Sequence, residues 1–224
     1  MEFFFQIKMN EKLFIRNPED TELGKKIIKH SIQMIYESGI ESFTFKKLAA
    51  SVHTTEAGIY RYFENKHRLL VYIVSWYWSW LEYQVIYHTH NIKNPVSKLK
   101  LIIRLLTADI TDTVSFKHID QDILREIVIA EGTKAYLTKN VTEDNKDKLF
   151  KPYKDLCARI ADVILECNPD YPFSHSLSST IIEEAKLQTF FMKHLPSLTD
   201  FGKSKDKKKV IRYLENIVFS ALQL

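Results

Sequence analysis

Glycine is unusually scarce in this 224-residue chain: it holds 5, about 2% against a usual ~7%. Proline is sparse too, at 6, and cysteine is limited to two residues. Strand-rich folds need glycine for hairpins, bulges and tight turns, and nucleotide-binding folds need it for phosphate loops. The shortage therefore argues against a β-sandwich, a Rossmann enzyme or a P-loop protein, and for long helices joined by short loops. Cys157 and Cys167 lie ten residues apart on one expected helix, too far along its axis to bond. They read as small hydrophobes in a reducing compartment. No stretch approaches the ~20 apolar residues of a membrane span. The start, Met1-Glu2-Phe3-Phe4-Phe5, lacks the basic leader and cleavage site of a signal peptide, and Met9 is a candidate alternative start. The chain reads as cytoplasmic and not membrane-bound.

What is present suffices for a large core. Hydrophobic residues make up 45% and charged residues 27%, and the length fits one large or two small domains. The net charge of +4 permits a nucleic-acid partner without demanding one. Helix signals recur along the chain. Asn17-Pro18 gives a cap followed by a proline suited to the first helical position. Leu23, Ile27, Ile28, Ile32, Ile35 and Tyr36 follow at helical spacing, and Gly39 is expected to close that helix in a left-handed conformation. Thr44 and Thr55 read as N-caps of two short helices, and Asn65 caps a long one to about His90. Asn94-Pro95 opens another, to about Thr113. Further helices are expected over about Ile119–Glu131, about Thr142–Cys167 (kinked or split at Pro152), about Ser174–His194 and about Lys205–Leu222. The fold class is all-α, with about nine helices.

Two short helices capped by Thr44 and Thr55 and joined at Val52-His53-Thr54 have the dimensions of a helix-turn-helix. Ala49 and Ala50 are small enough for the second helix to cross the first. The turn requires a residue tolerant of positive φ. Ile59, Tyr60 and Phe63 can anchor the second helix, leaving Glu56, Ala57, Gly58 and Arg61 for a DNA groove. The run TFKKLAASVHTTEAGIYRYFENKHRLL resembles the N-terminal domain of TetR-type (tetracycline-repressor-like) regulators, over about residues 20–72. The most specific element is Tyr60-x-Tyr62-Phe63 with Lys66 three residues on. The resemblance implies phosphate contacts by Thr44 and Lys66, paired roles for Tyr60 and Tyr62, and base or nearby phosphate contacts by Thr55, Glu56, Ala57, Gly58 and Arg61. Arginine can bond guanine bidentately, so Arg61 is the candidate for direct readout. Lys46 joins the same surface.

Two departures from the family pattern stand side by side. His53 occupies the place of the usual turn glycine, and Gly58 that of a common serine or threonine. Charge helps little. From Asn17 to Lys66 seven basic residues face seven acidic ones, and an excess appears only from Thr44 to Arg68, where Lys46, Lys47, Arg61, Lys66 and Arg68 outnumber Glu56 and Glu64. Salt-sensitive binding of modest slope is expected.

Beyond the DNA-reading part (residues 17–66), residues 67–224 read as an effector-binding and dimerisation domain. Ile73, Trp76, Trp80, Tyr83 and Tyr87 share a helical face and read either as core or as the lining of an aromatic effector pocket, with Gln84 and His88 as further polar anchors. Ile181, Ala185 and Met192 on one C-terminal helix, and Val210, Leu214, Ile217 and Ala221 on the next, read as a four-helix dimer interface or as the chain's own core. The lysines from Lys203 to Lys209 read as a solvated loop and helix start. The histidines, His118 among them, lack metal-ligand spacing, and no base, nucleophile and oxyanion donor converge. No metal, cofactor or catalysis is therefore expected. The combined expectation is a homodimeric repressor that reads a near-palindromic operator in double-stranded DNA and is released by a small apolar or amphipathic effector. The alternatives are a helical small-molecule- or lipid-binding protein of the same fold with weakened operator binding, and a helical enzyme at the tryptophan-rich helix.

Overall fold

Helix α1 (Glu22–Ser42) starts later than the Asn17-Pro18 signal suggests. Asn17 caps only a 3-10 turn over Pro18–Asp20, and Thr21 then caps α1 by accepting from the Gly24 N–H at 2.9 Å. This tight double start explains Gly24. A Cβ there would stand 2.2 Å from the Pro18 carbonyl oxygen, so only glycine lets the turn fold back onto the helix. At its far end α1 breaks at Gly39, whose φ of 73° and ψ of 163° differ from the left-handed helical conformation expected. They belong to a region that is essentially glycine's alone.

The protein is described by a computed structural model over residues 7–108, 119–202 and 206–224. The remaining helices are α2 (Phe45–Ser51), α3 (Glu56–Tyr60), α4 (Lys66–Thr89), α5 (Pro95–Leu106), α6 (Gln121–Glu131), α7 (Val141–Lys146), α8 (Lys151–Cys167), α9 (Ser174–His194) and α10 (Lys207–Leu222). There is no strand among the described residues. The caps at Thr44, Thr55, Asn65 and Asn94 form as the sequence suggests. Pro152 falls in the first turn of α8, where it is tolerated, and the expected helix over 142–167 is split before it into α7 and α8. Helix α5 ends at Leu106, and the stretch toward Thr113, like His118, Lys203 and Lys205, lies outside the described residues. None of the described helices is long and apolar enough to cross a membrane.

The chain divides into two compact units, Met1–Ser79 with Thr113–Pro152 and Trp80–Asp112 with Tyr153–Leu224. In the first, Ile27, Ile28, Ile35, Leu48, Ile59, Phe63 and Leu69 form a core sealed from solvent, and α6 packs along α1. Asp144 of α7 is buried; it forms an ion pair with Arg68 at 3.1 Å and faces His67 Nε2 at 3.2 Å. Asp147 takes Lys12 at 2.6 Å, which holds its carboxyl below the usual range. In the second unit, α5, α9 and α10 pack on one another. Arg159 of α8 pairs with Glu82 of α4 at 2.9 Å, and Asn168 donates to the Leu222 carbonyl at the end of α10. Cys157 and Cys167 are free thiols on α8, and burial pushes the Cys157 thiol up to about 11.

The turn between α2 and α3 carries His53 at φ 56°, the positive φ that the motif demands and that costs an L-residue roughly 1–2 kcal/mol. His53→Gly is expected to raise stability by about 1 kcal/mol, read as the urea midpoint at unchanged slope. Gly24→Ala is expected to lower it by about 1–3 kcal/mol through overpacking, checked in the same titration.

Candidate nucleic-acid interface

Helices α2 and α3 cross with Ala49 buried between them, whereas Ala50, expected at the same crossing, faces solvent. The pair is bound by Thr54 N–H donating to the Ala49 carbonyl at 2.9 Å. The outer surface of the motif presents Thr44, Lys46, Thr55, Glu56, Ala57, Tyr60, Arg61 and Lys66, all exposed, with Gly58 half-buried among them. The sequence thus brings together nine of the ten residues assigned to this surface.

The exception is Tyr62. It is 3% exposed, and its hydroxyl lies 2.8 Å from that of Thr21. The two tyrosines therefore divide differently from the expectation that Tyr60 anchors α3. Tyr60 is 47% exposed, with its ring edge-on to Phe45 at 5.1 Å. Anchoring falls to Ile59, Tyr62 and Phe63. Tyr62 lies beyond the end of α3, where its hydroxyl meets the N-cap residue of α1, and its pairing with Tyr60 is implied by the resemblance and not by helical spacing.

Gly58 has a packing role that its replacement of a serine or threonine does not suggest. A Cβ at Gly58 would meet the Thr54 hydroxyl at 2.6 Å, so the Thr54 side chain occupies the space beside α3. The neighbouring departures, His53 and Gly58, thus frame Thr54.

Charge is distributed more narrowly than the count suggests. Arg68 is withdrawn into the cluster with Asp144 and Glu64. Lys66 donates to the carbonyls of Ile40 and Glu41 at 3.1 and 3.4 Å, tying the start of α4 to the turn at Gly39, and Lys47 donates to Ser42 O at 2.9 Å. Arg16 adds a cation that the sequence reading missed. Ile15 N–H donates to Tyr62 O at 2.8 Å, which sets the exposed Arg16 guanidinium over the Tyr62 ring, 5.7 Å from its centroid. Nothing local in the sequence links residues 15 and 62.

The residues assigned to an effector pocket part company. Ile73 and Trp76 are buried in the first unit; Trp80 and Tyr83 are half-buried in the second. Tyr87 is 62% exposed and stacks on Tyr83 at 6.1 Å, so it is a surface residue. Beside Trp76, Tyr77 is buried and its hydroxyl is pushed up to about 12 by desolvation, against the opposing pull of Arg125.

Of the residues assigned to a dimer interface, Ile181, Ala185, Met192, Val210 and Leu214 are buried within the chain itself. Only Ile217 and Ala221 keep partial exposure. The strongest apolar stripes of these helices close the chain's own core, and other apolar residues remain at the surface. That remainder includes Leu187 and Tyr213, exposed at 43% and 36%, with the Tyr213 hydroxyl 3.4 Å from Glu184. Beside them opens a groove of about 440 Å³ lined by Asp200, Phe201, Lys209, Arg212, Tyr213 and Asn216.

Residues 27–73 match the sequence profile of the bacterial regulatory proteins of the tetR family. No protein of curated function matches the chain by sequence. Among solved structures, AibR in complex with isovaleryl coenzyme A and operator DNA is 15% identical with a TM-score of 0.60, the match covering 88% of this chain and 98% of AibR. The fatty acid degradation regulator FadR from Bacillus halodurans is 16% identical with a TM-score of 0.62, covering 91% and 97%. GusR of Salmonella enterica is 14% identical with a TM-score of 0.57, covering 89% and 94%. Residues 27–73 thus match the helix-turn-helix segment of the tetR family of bacterial regulatory proteins, and the described helices share the all-α fold of these solved structures.

Proposed function

We propose that this protein is a ligand-responsive repressor: a homodimer whose two α3 helices read a near-palindromic operator and which a small apolar or amphipathic effector releases. The observation that carries the reading is the exposed surface built on α2, α3 and the start of α4, within the segment that matches the family. On this reading residues 17–66 read DNA, and residues 67–224 bind the effector and dimerise. Arg61 enters the major groove, where an arginine discriminates guanine by about 1–3 kcal/mol. Thr44, Lys46, Tyr60 and Lys66 hold phosphates and fix the register, and Arg16 extends the cationic surface past α3. Glu56 is exposed on the same face; it repels phosphate and can accept from cytosine.

AibR was solved with both an acyl-coenzyme A and operator DNA, a precedent for one fold serving both partners. Release by an effector is a population shift and requires that the effector discriminate between DNA-competent and incompetent states. A dimer would form across the outer faces of α9 and α10, through Leu187, Tyr213, Ile217 and Ala221 and not through the stripes closed within the chain.

Footprinting on the DNA upstream of the protein's own gene tests the reading. Protection of two half-sites is expected, and no protection there or elsewhere in the genome overturns it in favour of a small-molecule-binding protein of the same fold. Arg61→Ala with Lys66→Ala is expected to weaken binding by about 100-fold or more and to reduce the salt slope by about 2 for a dimer. Leu187→Glu is expected to shift the sedimenting species from dimer to monomer without loss of helical signal.

A further inference from the structure

Gln84 presents an anomaly that the fold does not explain. It lies on α4 within the second unit and is 2% exposed, and both its amide nitrogen and its amide oxygen are sealed from solvent without a hydrogen-bond partner. Leaving such groups unmade is costly, and nearly all buried polar side chains in native proteins are satisfied. A leucine or methionine would fill the same volume at no such cost. Neighbours on the helix are apolar or aromatic: Leu81 is buried, and helical spacing puts Trp80 and His88, both half-buried, on the same stripe.

We propose that the Gln84 carboxamide is the polar anchor of the effector site and that it takes a ligand bearing a neutral carboxamide beside a short apolar chain. This rests on the reading that the protein binds an effector. A carboxamide offers donor and acceptor together, so one ligand group that also offers both can satisfy the pair in a single contact. A charged ligand group is disfavoured, because Gln84 brings no countercharge and burying an ion without one is expensive. The apolar chain would lie along Leu81 and Trp80, as in pockets where a few polar groups fix orientation on an apolar wall.

The test uses the full chain, Gln84→Met and thermal unfolding. Without additive, Gln84→Met is expected to unfold about 2–4 °C above the wild type, since an unsatisfied pair is replaced by an isosteric apolar chain. Valeramide near its dissociation constant is expected to raise the wild-type midpoint by about 1 °C. The ketone 2-hexanone, which accepts but cannot donate, is expected to raise it less, and neither should distinguish itself from buffer in Gln84→Met. A Gln84→Met midpoint below the wild type would show the amide already satisfied and overturn the proposal. So would an equal valeramide response in both proteins, or no response in the wild type. If Gln84→Met does not fold, the side-chain amide resonance of Gln84 in the wild type, assigned through its bonded backbone spins, is read instead. Valeramide should move it, and an unmoved resonance overturns the proposal. None of these readings involves DNA, so a failed footprint and a failed anchor are separate results.

Discussion

One buried carboxylate organises the unit that carries the helix-turn-helix. Asp144 is 4% exposed, and Arg68 and His67, on the first turn of α4, answer it at 3.1 and 3.2 Å. Removing one partner of such a group leaves an uncompensated charge in the interior, which costs far more than the pair contributes. The start of α4 is therefore not free to drift. Lys66 stands on that same turn, and its ammonium is tied to the Ile40 and Glu41 carbonyls. Asp147, three residues on from Asp144, lies 4.0 Å from Arg68 and draws Lys12 into the same cluster.

A second constraint is backbone geometry where glycine is rare. Gly24 and Gly39 sit where no other residue fits, one against the Pro18 carbonyl and the other at φ 73°. The remaining left-handed requirement of the α2–α3 pair falls on His53 at φ 56°, and Thr54 fills the space left by Gly58. Strain at a recognition element is tolerable when the surrounding packing over-determines it. Here Val52 and Ile59, buried on either side of the turn, supply that packing.

Local physics was legible in the sequence wherever a side chain bonds its own neighbouring backbone. Thr44, Thr55, Asn65 and Asn94 cap where they read as caps, because the cap bond spans three residues. The outward side of Glu56, Ala57 and Arg61 was legible from helical periodicity, whereas Thr44, Lys46, Thr55 and Lys66 came from the resemblance to the family, and periodicity turned Tyr60 inward although it is exposed. Periodicity misled where two partners compete for one apolar stripe. Ile181, Ala185, Met192, Val210 and Leu214 have the spacing of an interface and of a core alike, and the chain's own helices claimed them.

The all-helical class, the helices among the described residues to within one, and the caps follow from this sequence alone, since each depends on residues within about one or two turns of one another. Tertiary structure decided the burial of Tyr62 against Thr21, the delivery of Arg16 to the edge of α3, the withdrawal of Arg68 by Asp144 and the sealing of Gln84 without a partner. Each of these depends on what packs around a side chain from elsewhere in the fold, which neither spacing nor composition encodes.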